Sequence, residues 1–119
     1  MRIGVVIALL TIVSLVLVSP VWAQQTATTH HVVATFGTTA LTVRPARANR
    51  VYLGLINDSG TAAYCTVDGE TAVANQGIYL AAQGTTGDRH FWDQHVPKDI
   101  VSCITSAGTT RLLIIEGMR

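Results

Sequence analysis

The sequence predicts one small all-β domain, an antiparallel β-sandwich of seven or eight short strands, jelly-roll-like or immunoglobulin-like, behind an N-terminal signal helix. Three observations lead there. Short runs rich in Val, Ile, Thr and aromatic residues recur at roughly 8–12-residue spacing, with Gly, Pro, Asn and Asp between them. No helical period of useful length follows residue 23. The chain of 119 residues is long enough for one domain and short for two.

The first segment is read separately from the fold. Arg2 opens it, an uncharged apolar run follows from Ile3 to Val18, and Ser19-Pro20 breaks that run before Val21-Trp22-Ala23. A positive start, an apolar stretch and a small-residue end form the tripartite pattern of a secretory signal, with Val21 and Ala23 at the −3 and −1 positions. The run is shorter than the roughly 20 residues a spanning helix needs, which favours cleavage over a membrane anchor. Residues 1–23 are therefore expected to be removed, and the chain is expected to be exported to a periplasmic or extracellular compartment. The alternative is an envelope protein tethered by an uncleaved leader, the one way the membrane would be a partner.

Residues 24–30 read as a flexible, Thr-rich lead-in, and residues 31–117 as the domain. His30–Phe36 is the first strand, ended by Gly37, and Thr39–Val43 the second. Pro45 and the polar residues after it make a loop, because proline lacks an amide donor and restricts its predecessor. Arg50–Asn57 (RVYLGLIN) is the clearest strand, with Val51, Leu53 and Leu55 on one face and Tyr52, Gly54 and Ile56 on the other. Asn57-Asp58-Ser59-Gly60 is a strong turn, and Ala62–Val67 returns from it, so these two runs read as a hairpin. The stretch from Glu70 to Gln76 could hold a helical turn. Ile78–Ala81, Arg89–Trp92, Asp99–Thr105 and Thr110–Glu116 complete the set, the last apolar on both faces in its middle. Long strands of low charge are an edge hazard, and pairing with other subunits would cover them.

The two cysteines, Cys65 and Cys103, both follow the signal and lie in strand-like runs. Export permits a disulfide, and only one intramolecular pairing exists.

Composition excludes some classes of function. The formal net charge is +1 and Lys98 is the only lysine, so no basic footprint for nucleic acid is present. The loose group Arg44, Arg47 and Arg50 reads as a solvated loop. Among chemistry-bearing residues, the dense cluster runs from Asp88 to His95. It supplies His90, Asp93 and His95 as candidate metal ligands, but strand alternation splits the ligands between faces. His30 and His31 are adjacent and would point to opposite faces. No nucleophile elbow or phosphate loop is present, Asp68, Glu70, Asp99 and Glu116 form no legible carboxylate pair, and a disulfide would consume both thiols. No catalytic residue, metal or cofactor is expected. Asn57-Asp58-Ser59 matches a glycosylation sequon, although the turn already accounts for the Asn.

Three stretches carry a family likeness: Arg50–Gly60, Gly77-Ile78-Tyr79-Leu80 with Gly84 after it, and Ala107–Gly117. This layout, over roughly residues 32–117, resembles small β-sandwich accessory or decoration proteins of tailed bacteriophages and prophages. The resemblance implies a non-enzymatic, self-associating structural protein and carries no catalytic residue across. The expectation is an exported structural or binding module of phage-related ancestry. Its partner would be a second copy, another protein or a surface glycan, with Tyr52, Tyr79, Phe91 and Trp92 as candidate contacts. The alternative is a small metal-dependent or carbohydrate-binding secreted protein using the cluster from 88 to 95.

Overall fold

The computed structural model describes residues 27–119; residues 1–23, expected to be a signal, and residues 24–26 lie outside the described residues. Eight strands follow in order: β1 (Thr28–Phe36), β2 (Leu41–Arg44), β3 (Arg50–Asn57), β4 (Ala63–Thr66), β5 (Ile78–Leu80), β6 (Arg89–Trp92), β7 (Val101–Ile104) and β8 (Thr110–Met118). All ladders are antiparallel, and they form two four-stranded sheets of order β1-β8-β3-β6 and β2-β7-β4-β5.

The pairing follows one rule. β1 pairs β8, β2 pairs β7, β3 pairs β6 and β4 pairs β5. The chain is thus one long hairpin with its tip between β4 and β5, rolled so that β8 also meets β3 and β7 also meets β4. This is the jelly roll, and its strand order excludes the immunoglobulin alternative. It also corrects the expected hairpin: β3 and β4 lie in different sheets, and the turn after Asn57 crosses from one sheet to the other. The first strand starts at Thr28, inside the stretch read as a lead-in, because β1 can pair residue for residue with β8 as far as Met118. The stretch from Glu70 to Gln76 forms turns and no helix, with Asn75 in the left-handed region at φ 66°.

Alternation builds the core. Ala34 and Phe36 from β1, Leu53 and Leu55 from β3, and Leu112 and Ile114 from β8 face inward from one sheet. Val43, Ala63, Cys65, Leu80, Val101 and Cys103 meet them from the other. Trp92 packs against this core from β6. Cys65 and Cys103 are register partners on the two central strands of their sheet, fully buried, and joined by a disulfide across a sequence separation of 38. Closing a loop of that length removes unfolded-state entropy worth about 4 kcal/mol. Gly77 holds the approach to β5 at φ 84°, where a Cβ would come within 2.6 Å of the Cys65 carbonyl oxygen.

The two ends of the sandwich are closed by polar networks. At the end of β3 the buried Asn57 amide uses its whole capacity. Its Nδ2 donates to the carbonyls of Thr61 (2.7 Å) and Leu80 (3.2 Å), and its Oδ1 accepts from Ser59 N (3.0 Å) and Ser59 Oγ (2.9 Å). The sequon asparagine is therefore enclosed, with its nitrogen committed to two carbonyls. Thr105 Oγ1 donates to Ala62 O and Ala107 O and tightens the same corner.

The opposite end corrects the reading of the arginines. Glu116 is fully buried at the end of the core, and Arg44, Arg47 and Arg50 converge on it. Arg44 donates Nε to Oε2 (3.2 Å) and Nη2 to Oε1 (3.1 Å), a two-pronged grip. Arg50, also fully buried, donates Nε to Oε2 (3.1 Å), Nη1 to Pro97 O and Asp99 O, and Nη2 to Pro45 O. Arg47 brings its Nε to 3.0 Å from Oε1 as an ion-pair contact, out of line for a hydrogen bond. One carboxylate thus ties both sheets to the loops after β2 and before β7.

Candidate functional site

The outer faces of the two sheets differ. On the sheet containing β4 and β7, the loop after β4 folds back over the face: Ala72 N donates to Ser102 Oγ (2.9 Å), and both residues are buried. Tyr64 and Tyr79 pair across β4 and β5 on this same face, ring centroids 5.4 Å apart, with Tyr79 exposed.

The outer face of the other sheet carries no such cover among the described residues, and its centre is apolar. Register places its side chains in rows. Phe91, Gly54, Ile115 and His31 form one row across β6, β3, β8 and β1. Arg89, Ile56, Leu113 and Val33 form the next. Tyr52, Gly117 and Thr29 lie beyond the first. Val33 is 60% exposed and Phe91 44%, while Tyr52, Ile56, Leu113 and Ile115 are half-buried. An antiparallel sheet with a solvated face normally places polar residues there. Here the run Leu112-Leu113-Ile114-Ile115 spends alternate apolar side chains on each face of β8.

Phe91 lies flat because its register partner is Gly54. A Cβ at residue 54 would stand 2.7 Å from Phe91 Cδ1, so the missing side chain is what admits the ring. Tyr52 stacks beside it, centroids 6.3 Å apart and planes 27° apart. Arg89 and Arg111 border the face, each paired within the chain, to Asp88 (3.0 Å) and to Asp58 respectively. The hydrogen bond from Arg89, helped by Gly84 N, holds the Asp88 carboxyl below the usual carboxylate range.

The residues singled out from sequence fall in several places. Tyr52 and Phe91 belong to this face. Trp92 points the other way, into the core margin, with the His90 ring against it at 4.2 Å. Tyr79 lies on the opposite sheet. His90, Asp93 and His95 are not gathered: β6 ends at Trp92, and His95 sits in the turn beyond at φ 50°. Among the described residues no group of three or more His, Cys, Asp or Glu is placed to hold a metal ion. His30 takes the register of buried Glu116, and His31 that of outward Ile115. Val33, Ile56, Leu113 and Ile115 were missed as contact candidates. The signal for them was present in a closing strand apolar on both faces. Among the described residues no helix is long and apolar enough to cross a membrane.

No family model matches the chain, and neither a curated protein nor a solved structure matches it. The class defined by fold and surface is a small disulfide-bonded jelly roll with one sheet face that is apolar at its centre and uncovered among the described residues.

Proposed function

We propose that this chain is an exported, non-enzymatic structural module of phage-related ancestry that works by binding and self-association. The uncovered apolar face of the β1-β8-β3-β6 sheet carries the reading. Burying apolar area is the dominant favourable term in association, at roughly 25 cal/mol per Å². A contiguous apolar patch on a small soluble domain marks an interaction site. The buried disulfide is compatible with an oxidising compartment and supports export to the periplasm or medium.

Native mass spectra of the protein recovered after expression, before and after reduction, test this reading. The expected species begins at Gln24, gains two hydrogens on reduction and is oligomeric. A monomer carrying one metal ion that is lost in a His90→Ala variant would replace it with metal-dependent chemistry at the cluster from 88 to 95. A mass that retains residues 1–23 would replace it with a tethered envelope protein.

A further inference from the structure

Resting on the self-association in that reading, we infer that two copies join along the free edge of β1, antiparallel and centred on Val32, so that two four-stranded sheets become one. Among the described residues β1 is bonded along one side only. β8 lies against it, and no other strand or loop backbone reaches it. The other three edges are blunted. β2, β5 and β6 have four, three and four residues, and the ladder of β2 is broken between Thr42 and Arg44. Shortness and irregularity are two of the ways in which natural sheets prevent edge pairing; charge and proline are others. β1 uses none of them. Its nine residues, TTHHVVATF, hold an unbroken register with β8 and include no Lys, Arg, Asp, Glu, Pro or Gly.

Length and symmetry select the occupant. Among the edges described, only another β1 can pair along all nine residues; β2, β5 or β6 would leave more than half of them open. A two-fold axis at Val32 pairs them all. Val32 then lies opposite Val32 of the second copy, His31 opposite Val33, His30 opposite Ala34, Thr29 opposite Thr35 and Thr28 opposite Phe36. Val–Val and Thr–Thr are favourable cross-strand pairs, and no pair sets like charges of Lys, Arg, Asp or Glu together. Nine paired residues exchange about nine backbone hydrogen bonds, close to the roughly ten of a typical protein interface. The axis also closes the assembly at two, because it consumes both long edges. Each pair joins residues that face the same side, so outward side chains stay outward. The row Phe91, Gly54, Ile115 and His31 runs on into Val33, Leu113 and Ile56 of the second copy. Val33, 60% exposed on the edge strand of its own sheet, becomes flanked on both sides, and the two apolar centres form one binding surface.

Two cysteine variants of the exported chain read the register. Opposite Cα atoms in an antiparallel pair are about 4.5–5.5 Å apart, within reach of a disulfide. Val32→Cys is therefore expected to give a covalent dimer under non-reducing conditions. His30→Cys meets its own copy only about 13 Å further along the strand and is expected not to cross-link, although His30 is the more exposed of the two. Sedimentation equilibrium of the disulfide-bonded chain reads the strength. Val33→Lys places a blocking charge on the edge and is expected to weaken association at least tenfold. Tyr79→Lys, on β5, is expected to leave the constant unchanged. Val33 and Tyr79 are exposed, so both lysine variants should fold, and circular dichroism melts check this. A wild-type monomer at every concentration would overturn both the inference and the self-association in the functional reading. The inference alone would be overturned by an oligomer that is insensitive to Val33→Lys, in which Val32→Cys does not cross-link, or in which both cysteine variants do.

Discussion

Arg50 and Glu116 meet where solvent reaches neither: Nε of the arginine donates to Oε2 of the glutamate at 3.1 Å, and both side chains are fully buried. Arg50 opens β3 and Glu116 sits near the end of β8, so this pair, with Arg44 from β2, holds two sheets and two loops to a single carboxylate. The desolvation of two charges is offset because every arm of the Arg50 guanidinium has an acceptor.

Removing the carboxylate leaves three guanidiniums facing one another. Glu116→Gln should cost about 3–5 kcal/mol, the range for breaking a buried ion pair. Arg47→Ala, at a partly exposed site with an out-of-line contact, should cost about 1 kcal/mol or less. Urea denaturation of the three proteins measures the contrast; equal losses would contradict the assigned geometry.

The same carboxylate sets an acid limit. Burial pushes its pKa up, but the hydrogen bonds and charge of Arg44 and Arg50 prevail and hold it below 4.5. A group whose folded pKa is depressed contributes stability above its unfolded value, and that contribution disappears as pH falls through the folded value. Thermal melts should thus be flat in this contribution above about pH 4.5 and fall as the pH drops below that. Glu116→Gln should lack that part of the acid slope.

Reduction should lower stability without dismantling the core. Cys65 and Cys103 are opposite one another on paired strands and enclosed by apolar neighbours, so the free thiols would still pack as small apolar groups. The expected loss is about 4 kcal/mol, through the unfolded chain. Urea midpoints with and without a reducing agent, and for the double Cys→Ala variant, read this directly.

Asn57→Asp should be worse than Asn57→Ala. Alanine removes four hydrogen bonds and leaves two carbonyls short of a donor, a loss of about 2–4 kcal/mol. Aspartate adds a negative oxygen facing those same carbonyls of Thr61 and Leu80. Expression in a eukaryotic secretory host should yield folded protein without glycan at Asn57, checked by mass.

The strands were largely legible. Tyr52 to Ile56 alternate in sequence as they do in β3, while Val51 falls at an irregularity in the ladder, and Gly, Asn and Pro mark the turns where they occur. Boundaries moved by one or two residues, as at β1 and β8, because partner strands decide how far a ladder extends. The arginine cluster was not legible. Arg44, Arg47 and Arg50 look like a loop group on their own, and their counter-ion lies 72 residues from Arg44 and 66 from Arg50. The apolar face was half legible: the doubly apolar β8 was visible, but not that Val33, Ile56 and Phe91 would stand beside it.

By itself, the sequence determined the all-β class, most strand positions, the turns and the single possible disulfide pairing. These rest on backbone preferences and side-chain alternation that act over a few residues. Tertiary structure decided that β3 and β4 part into different sheets, that three arginines close on Glu116, and that one sheet face has no cover among the described residues. Those outcomes depend on which distant strands bury each other's side chains, and that choice is made only when the long hairpin rolls up and its ends, β1 and β8, meet.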